Sequence, residues 1–128
     1  MIKKAIQRIL QQIFGFELYL FYFSRWKIAT LRWDSSRKEG DFNHFLTMFS
    51  PTDIVLDIGA NIGIMTVLMA KRCKNGWVHA FEPVPNNYRT LQKIVSHYRI
   101  NNSSLYQVAL GDMEKNVHMA MPVLQGVN

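Results

Sequence analysis

The chain has 128 residues, of which 48% are hydrophobic and 19% charged, a composition typical of one globular domain with a core. Cys73 is its single cysteine, which excludes a disulfide framework and a thiolate metal cluster; we expect no metal site and a reducing, cytoplasmic location. The net charge of +6 is concentrated in residues 1–27, which carry +4, rather than spread over a broad face, so we expect no nucleic-acid partner.

An amphipathic helix is predicted from residue 1 to about residue 27. Its apolar stripe recurs at spacings of three and four, while lysine, arginine and glutamine occupy the other face of its first half. The apolar part is interrupted by Gly15 and Glu17 and is shorter than the ~20 residues that a bilayer requires. Two interpretations remain open: residues 1–23 contact an anionic membrane surface, or the stripe packs against protein. The stripe consists of Ile2, Ile6, Ile9, Ile13, Phe16, Leu20 and Phe23.

The segment from Arg25 to Asp41 is interpreted as a partly exposed connector. Asp41 is a candidate cap for a short helix over 42–49, and residues 50–53 form the turn into the first strand. We therefore predict two regions, an N-terminal helix with its connector over 1–40 and an α/β domain over 41–128.

A strand, a glycine turn and a helix follow one another at the centre of the chain. The short apolar run 54–58 is rich in β-branched residues and predicts a strand buried on both faces, as in a parallel sheet. Gly59, Asn61 and Gly63 then occupy alternate positions, and the composition of 62–72 is helical. Glycines allow a tight turn and close approach of a ligand to the backbone, and the helix start offers free N–H groups.

Two acids indicate which ligand this turn binds. The pattern differs from the G-x-G-x-x-G of dinucleotide sites, and Asp57 at the strand tip disfavours a diphosphate but suits an ammonium group. Glu82 ends the next apolar strand 19 residues after Gly63, where an acid can accept hydrogen bonds from a ribose diol. Together they favour an adenosyl ligand without a pyrophosphate, such as S-adenosylmethionine.

The remaining elements alternate. We predict a second strand over 77–81, a second helix from Asn86 to about residue 99 and a third strand over 105–110, followed by a possible short strand over 117–121. This order predicts an α/β doubly wound parallel sheet, in which ligands bind at the carboxyl ends of the strands. Asp112 follows the third strand and is interpreted either as a turn residue or as an adenine contact.

Three motifs resemble the FkbM family of S-adenosylmethionine-dependent methyltransferases: DIGANIG at 57–63, FEPVPNNY at 81–88 and VALGD at 108–112. The resemblance covers about residues 40 to 124. It implies a Rossmann-like class I methyltransferase fold, S-adenosyl-L-methionine as cofactor, and O-methylation of a hydroxyl on a sugar or other small molecule. The cofactor-binding residues it implies are Asp57, Gly59, Ala60, Asn61, Gly63, Glu82 and Asp112.

The resemblance implies seven strands, whereas the sequence offers the β1-αA-β2-αB-β3 half of that fold. We therefore expect the chain to be the cofactor-binding N-terminal part of such an enzyme, and no residue is assigned a catalytic role. The alternative is a non-catalytic fragment or interaction module that uses its N-terminal helix to bind a membrane surface or another protein. The sequence does not indicate the methyl acceptor or the oligomeric state.

Overall fold

The computed structural model describes residues 15–31, 37–116 and 118. Residues 1–14 of the predicted N-terminal helix therefore lie outside the described residues. The possible strand over 117–121 also lies outside them, except for residue 118. The elements are α1 (Phe16–Leu31), α2 (Arg37–Thr47), β1 (Ile54–Ile58), α3 (Ile64–Arg72), β2 (Trp77–Phe81), α4 (Pro85–His97) and β3 (Ser103–Tyr106).

The three described strands form one parallel sheet in the order β1-β2-β3, which confirms the predicted α/β, Rossmann-like partial fold. β1 and β2 have the predicted bounds. β3 begins two residues earlier than predicted and ends at Tyr106, because its pairing with β2 runs from Ser103 to Tyr106. The side-chain amide of Asn102 donates to the carbonyl oxygens of Ala70 and Cys73 at 3.0 and 2.9 Å, which fixes the start of β3 against the end of α3.

The hydrophobic core lies on one face of the sheet. Consecutive neighbouring strands joined by right-handed crossovers place both helices on the same side, and α3 and α4 pack there against Val55, Val78 and Ala80. On the opposite face, Leu56 is 60% exposed and Ile54 and Ile58 are also exposed. The expectation that β1 is buried on both faces is therefore wrong for the described part of the chain.

Helix α1 packs against α3 and α4 through a different face from the predicted stripe. Ser24, Ile28 and Leu31 are buried, whereas Phe16 and Phe23 of the stripe are exposed. This part of the helix is apolar nearly all round, so its periodicity did not identify the face that packs. α1 also continues to Leu31, four residues beyond the predicted end, into the segment interpreted as a connector.

An ion pair network joins the start of α1 to α4. Glu17 accepts hydrogen bonds from Lys93 Nζ at 3.0 Å and Arg89 Nε at 2.5 Å. The hydrogen bonds from Lys93 and then Arg89 lower the pKa of the Glu17 carboxyl. Because all three side chains are at least one-third exposed, the network orients α1 more than it stabilises the fold.

Helix α2 begins at Arg37, so Asp41 lies inside it and does not cap it as predicted. The sequence analysis assigned Gly40 to the connector, and a glycine within a helix costs about 1 kcal/mol relative to alanine. Packing of Phe42 and Leu46 against the core outweighs this local cost.

Gly63 allows α4 to approach the start of α3. Its φ is +84°, and a Cβ at this position would lie 2.9 Å from Leu91 Cδ1 and 3.4 Å from Leu91 Cα. Gly59 also has a positive φ, +80°, but a Cβ there would have no atom within 4 Å. The two glycines therefore share a backbone conformation but differ in packing.

We predict that Gly63→Ala destabilises the fold more than Gly59→Ala does. Both add left-handed strain of about 1–2 kcal/mol, and Gly63→Ala adds roughly 1–3 kcal/mol of overpacking against Leu91. Urea unfolding measures both costs. In a Leu91→Val background the extra cost of Gly63→Ala should shrink, and equal costs for the two glycine variants would contradict the packing argument.

We also predict that the chain self-associates. The free edge of β1 and the apolar face around Leu56 are both uncovered by the described residues, and such surfaces pair with other chains. Sedimentation should give a mass well above 14.9 kDa. Leu56→Thr keeps strand propensity and should lower that mass, whereas Met48→Thr, which removes an exposed methionine after α2, should not. A wild-type monomer would contradict this prediction.

Candidate functional site

The carboxyl ends of β1 and β2 and the segment after β3 surround one crevice. A cavity of about 190 Å³ lies there, and all three sequence motifs contribute to it. The structure therefore brings together segments that are some 50 residues apart along the chain. The lining residues are Ile58, Gly59, Phe81, Pro83, Val108, Ala109 and Leu110.

The glycine turn begins as a continuation of the sheet. The N–H groups of Gly59 and Ala60 both donate to the Phe81 carbonyl oxygen, at 2.9 and 3.0 Å, and the Gly63 N–H donates to the Ala60 carbonyl at 3.0 Å. Asn61 has a φ of +53°. Asparagine tolerates this left-handed conformation better than most residues, which explains how it replaces a glycine in the middle of the turn.

Glu82 connects the glycine turn to the end of β2 through two hydrogen bonds. Its side chain is buried, and Oε2 accepts the Asn61 N–H at 2.8 Å while Oε1 accepts the Val84 N–H at 2.8 Å. These two bonds give Glu82 a structural role that the sequence analysis did not predict. Each carboxylate oxygen has a second lone pair, so Glu82 retains the capacity to accept hydrogen bonds from a ligand.

Asp57 lies half-buried at the end of β1, where its Oδ2 accepts a 2.6 Å hydrogen bond from Thr66 Oγ1. Burial raises the pKa of the Asp57 carboxyl, the nearby charge of Glu82 adds to the rise, and the Thr66 hydrogen bond opposes it. Two carboxylates so close together favour a positively charged group beside them. Sequence reasoning missed Thr66, although its place nine residues after Asp57, in the first turn of the following helix, is a usable signal.

The other predicted site residues differ in their exposure to solvent. Ala60 is buried, and Gly59 and Asn61 are exposed at the turn. Asp112 is exposed in a bend after Gly111. Of the predicted site residues, Gly59 lines the cavity of about 190 Å³, whereas Asp57, Glu82 and Asp112 are not among its lining residues. The structure thus gathers Asp57, the glycine turn and Glu82, and leaves Asp112 at the surface.

A second cavity, of about 400 Å³, adjoins the same turn and is closed by the N-terminal helices. Phe23, Lys27 and Leu31 of α1 and Phe42 of α2 line it opposite the backbone of 59–62. Sequence reasoning did not place α1 at the site, because this contact joins residues more than 30 positions apart and leaves no local pattern.

Two further searches concern only the described residues. No group of three or more histidine, cysteine, aspartate or glutamate side chains there is arranged to hold a metal ion. None of the helices in the described ranges has the length and apolar character needed to cross a bilayer.

The chain matches the model of the Methyltransferase FkbM domain over residues 57–125, more than half its length. It is 29% identical over 63 residues to Methyltransferase 1 of Beauveria bassiana (strain ARSEF 2860), covering 49% of this chain and 25% of that relative. Among solved structures it is similar to M. jannaschii TYW2 in complex with AdoMet, with 26% identity and a TM-score of 0.49 over 58% of this chain and 33% of that one.

A second solved structure, wild-type Trm5b from Pyrococcus abyssi, is 23% identical with a TM-score of 0.48, covering 62% of this chain and 23% of that one. The chain thus spans only about a quarter to a third of the length of these relatives. The family match contains every residue that the sequence analysis assigned to the site, from Asp57 to Asp112. The chain belongs to the FkbM methyltransferase domain family.

Proposed function

We propose that this chain carries the S-adenosylmethionine-binding part of a methyltransferase that acts on a hydroxyl oxygen of a sugar or other small metabolite. The observation that supports the proposal most is the pair of carboxylates, Asp57 and Glu82, on the two strand tips that flank the glycine turn. Family membership supplies the reaction class, and the acceptor and the cytoplasmic location extend the expectations from the sequence.

Each site residue has a role in this proposal. Asp57, whose carboxylate is oriented by Thr66, binds the ammonium of the methionine moiety. Glu82 accepts hydrogen bonds from the ribose hydroxyls through its remaining lone pairs. Ala60, Asn61 and Gly63 shape the turn, and the open space beside Gly59 lets the cofactor approach the backbone. Asp112 is proposed to reach the adenine.

Methyl transfer from S-adenosylmethionine requires little acid–base catalysis by the protein. S-adenosylmethionine supplies the activated methyl group when bound, and the residues of this chain bind and orient it. We assign no catalytic residue, because none of the described side chains that line the crevice is an acid or a base that could accept a proton from an acceptor hydroxyl.

Calorimetry with S-adenosylhomocysteine tests the cofactor proposal. Asp57→Asn and Glu82→Gln should each weaken binding about 10-fold or more, because each removes a charge-assisted hydrogen bond. Binding by the wild type should weaken as the pH falls through the raised pKa of Asp57, since only the carboxylate attracts the ammonium, and this pH dependence should be reduced in Asp57→Asn.

Asp53→Asn is the matched control, because Asp53 lies at the opposite end of β1 and bonds the Ser50 N–H at 2.8 Å. It should leave the affinity unchanged. Glu82→Gln is used in preference to Glu82→Ala because the glutamine amide oxygen keeps an acceptor for one of the Asn61 and Val84 N–H groups, whereas alanine would leave both without one. Unchanged affinity in both site variants would contradict the assigned roles, and no binding by a folded wild type would contradict the cofactor proposal.

A second candidate function, without catalysis, is contact with an anionic membrane surface through residues 1–23 and the adjoining face of α1. Leu18, Tyr22 and Trp26 recur every four residues along α1 and are 41%, 54% and 58% exposed. The guanidinium of Arg25 lies 5.8 and 5.9 Å from the ring centroids of Phe21 and Tyr22. Aromatic rings beside basic groups suit the interface of an anionic bilayer.

Sedimentation with vesicles tests this candidate. Wild type should pellet with phosphatidylserine vesicles more than with phosphatidylcholine vesicles, and less as salt rises, because basic groups supply part of the attraction. The double variant Tyr22→Ser and Trp26→Ser should lose much of the binding, whereas Met48→Ser, which removes an exposed side chain away from α1, should not. Equal sedimentation with both lipids, or none, would rule out the membrane interpretation.

A further inference from the structure

The cavity between α1 and the glycine turn contains a cation that neither the family motifs nor the roles proposed above use. Lys27 is the one charged side chain among the described residues that line this space of about 400 Å³. It is half-buried, and most of the other lining is apolar side chains or the backbone of the turn. Lysine side chains in such places pack their aliphatic stem against apolar groups and keep the ammonium in water, where a ligand in the cavity can contact it.

The position of α1 against the turn is fixed. Ser24 is fully buried, and its Oγ lies 2.9 Å from the Leu20 carbonyl oxygen and 3.2 Å from the Ile62 carbonyl oxygen. Phe23, Lys27 and Leu31 recur every four residues, so they share the neighbouring face of the helix and together form its wall of the cavity.

The other charged side chains described at the glycine turn are two acids, Asp57 and Glu82. Asp57 and Glu82 lie close enough that the charge of Glu82 raises the pKa of Asp57. An amino acid group has an ammonium and a carboxylate on the same carbon. If the ammonium binds at Asp57, the carboxylate must lie within a few ångströms of it, in a place where two acids repel it unless a cation compensates.

We propose that Lys27 binds the carboxylate of the amino acid moiety of S-adenosylmethionine, so that α1 forms part of the cofactor site. This inference rests on the proposed function and adds to it a residue 30 positions before Asp57, outside the matched family region. The ammonium of lysine has three donors, so it can bind a carboxylate and keep the contacts it has within the chain.

The test compares two ligands by calorimetry on the full chain. S-adenosylmethionine carries the carboxylate, and its decarboxylated analogue keeps the ammonium and the sulfonium but lacks it. Wild type should bind S-adenosylmethionine about 10-fold or more tightly than the analogue, because a charge-assisted hydrogen bond is lost. Lys27→Gln should abolish most of this preference by weakening only the binding of S-adenosylmethionine, and Lys27→Arg should keep it.

Lys74→Gln, which neutralises an exposed lysine in the turn before β2, is the matched control and should behave as wild type. Circular dichroism establishes that each variant is folded. An equal loss for both ligands in Lys27→Gln, or no loss, would overturn the inference while leaving the proposed function intact. A wild type that binds both ligands with equal affinity would by itself overturn the inference. A wild type that binds neither ligand would overturn the proposed function as well.

Discussion

The buried carboxylate of Glu82 is the constraint on which the site depends. By accepting one N–H from the glycine turn and one from the segment after β2, it joins two strand tips that would otherwise be held only by backbone bonds to Phe81. A buried charge is costly unless its hydrogen bonds are made, so the turn and Glu82 stabilise each other. In the turn, Asn61 is the non-glycine residue with a positive φ, and the bond from its N–H to Glu82 helps to hold that conformation.

The same interaction places negative charge beside the glycine turn. Because Glu82 is fixed beside Asp57, the sheet edge is negative before any ligand arrives, and burial already disfavours the ionised form of Asp57. A cationic ligand group relieves both effects, whereas a pyrophosphate would add to them. The proposed preference for an adenosyl ligand over a dinucleotide, which the sequence analysis drew from the glycine pattern and the two acids, agrees with this charge.

The features that the sequence predicted correctly are set by short segments of the chain. The bounds of β1 and β2 and the turn between β1 and α3 follow from short apolar runs that end in acids and glycines within a few residues. What failed depended on distant contacts: the open face around Leu56 and the buried face of α1. Thr66 and the structural bonds of Glu82 were missed for the same reason, since their partners lie on other elements. β-Branched residues in β1 indicate a strand, but they do not show which face another element covers.

The place of α1 bears on where the functional unit begins. The family match starts at Asp57, yet the buried hydroxyl of Ser24 bonds the turn at Ile62, and α1 closes the cavity on that side. A fully buried serine hydroxyl would cost stability without a carbonyl partner. Its presence is explained if the helix is positioned against the turn rather than merely packed on the domain. The glycine turn is therefore supported from two directions, by Glu82 on the sheet and by Ser24 on α1.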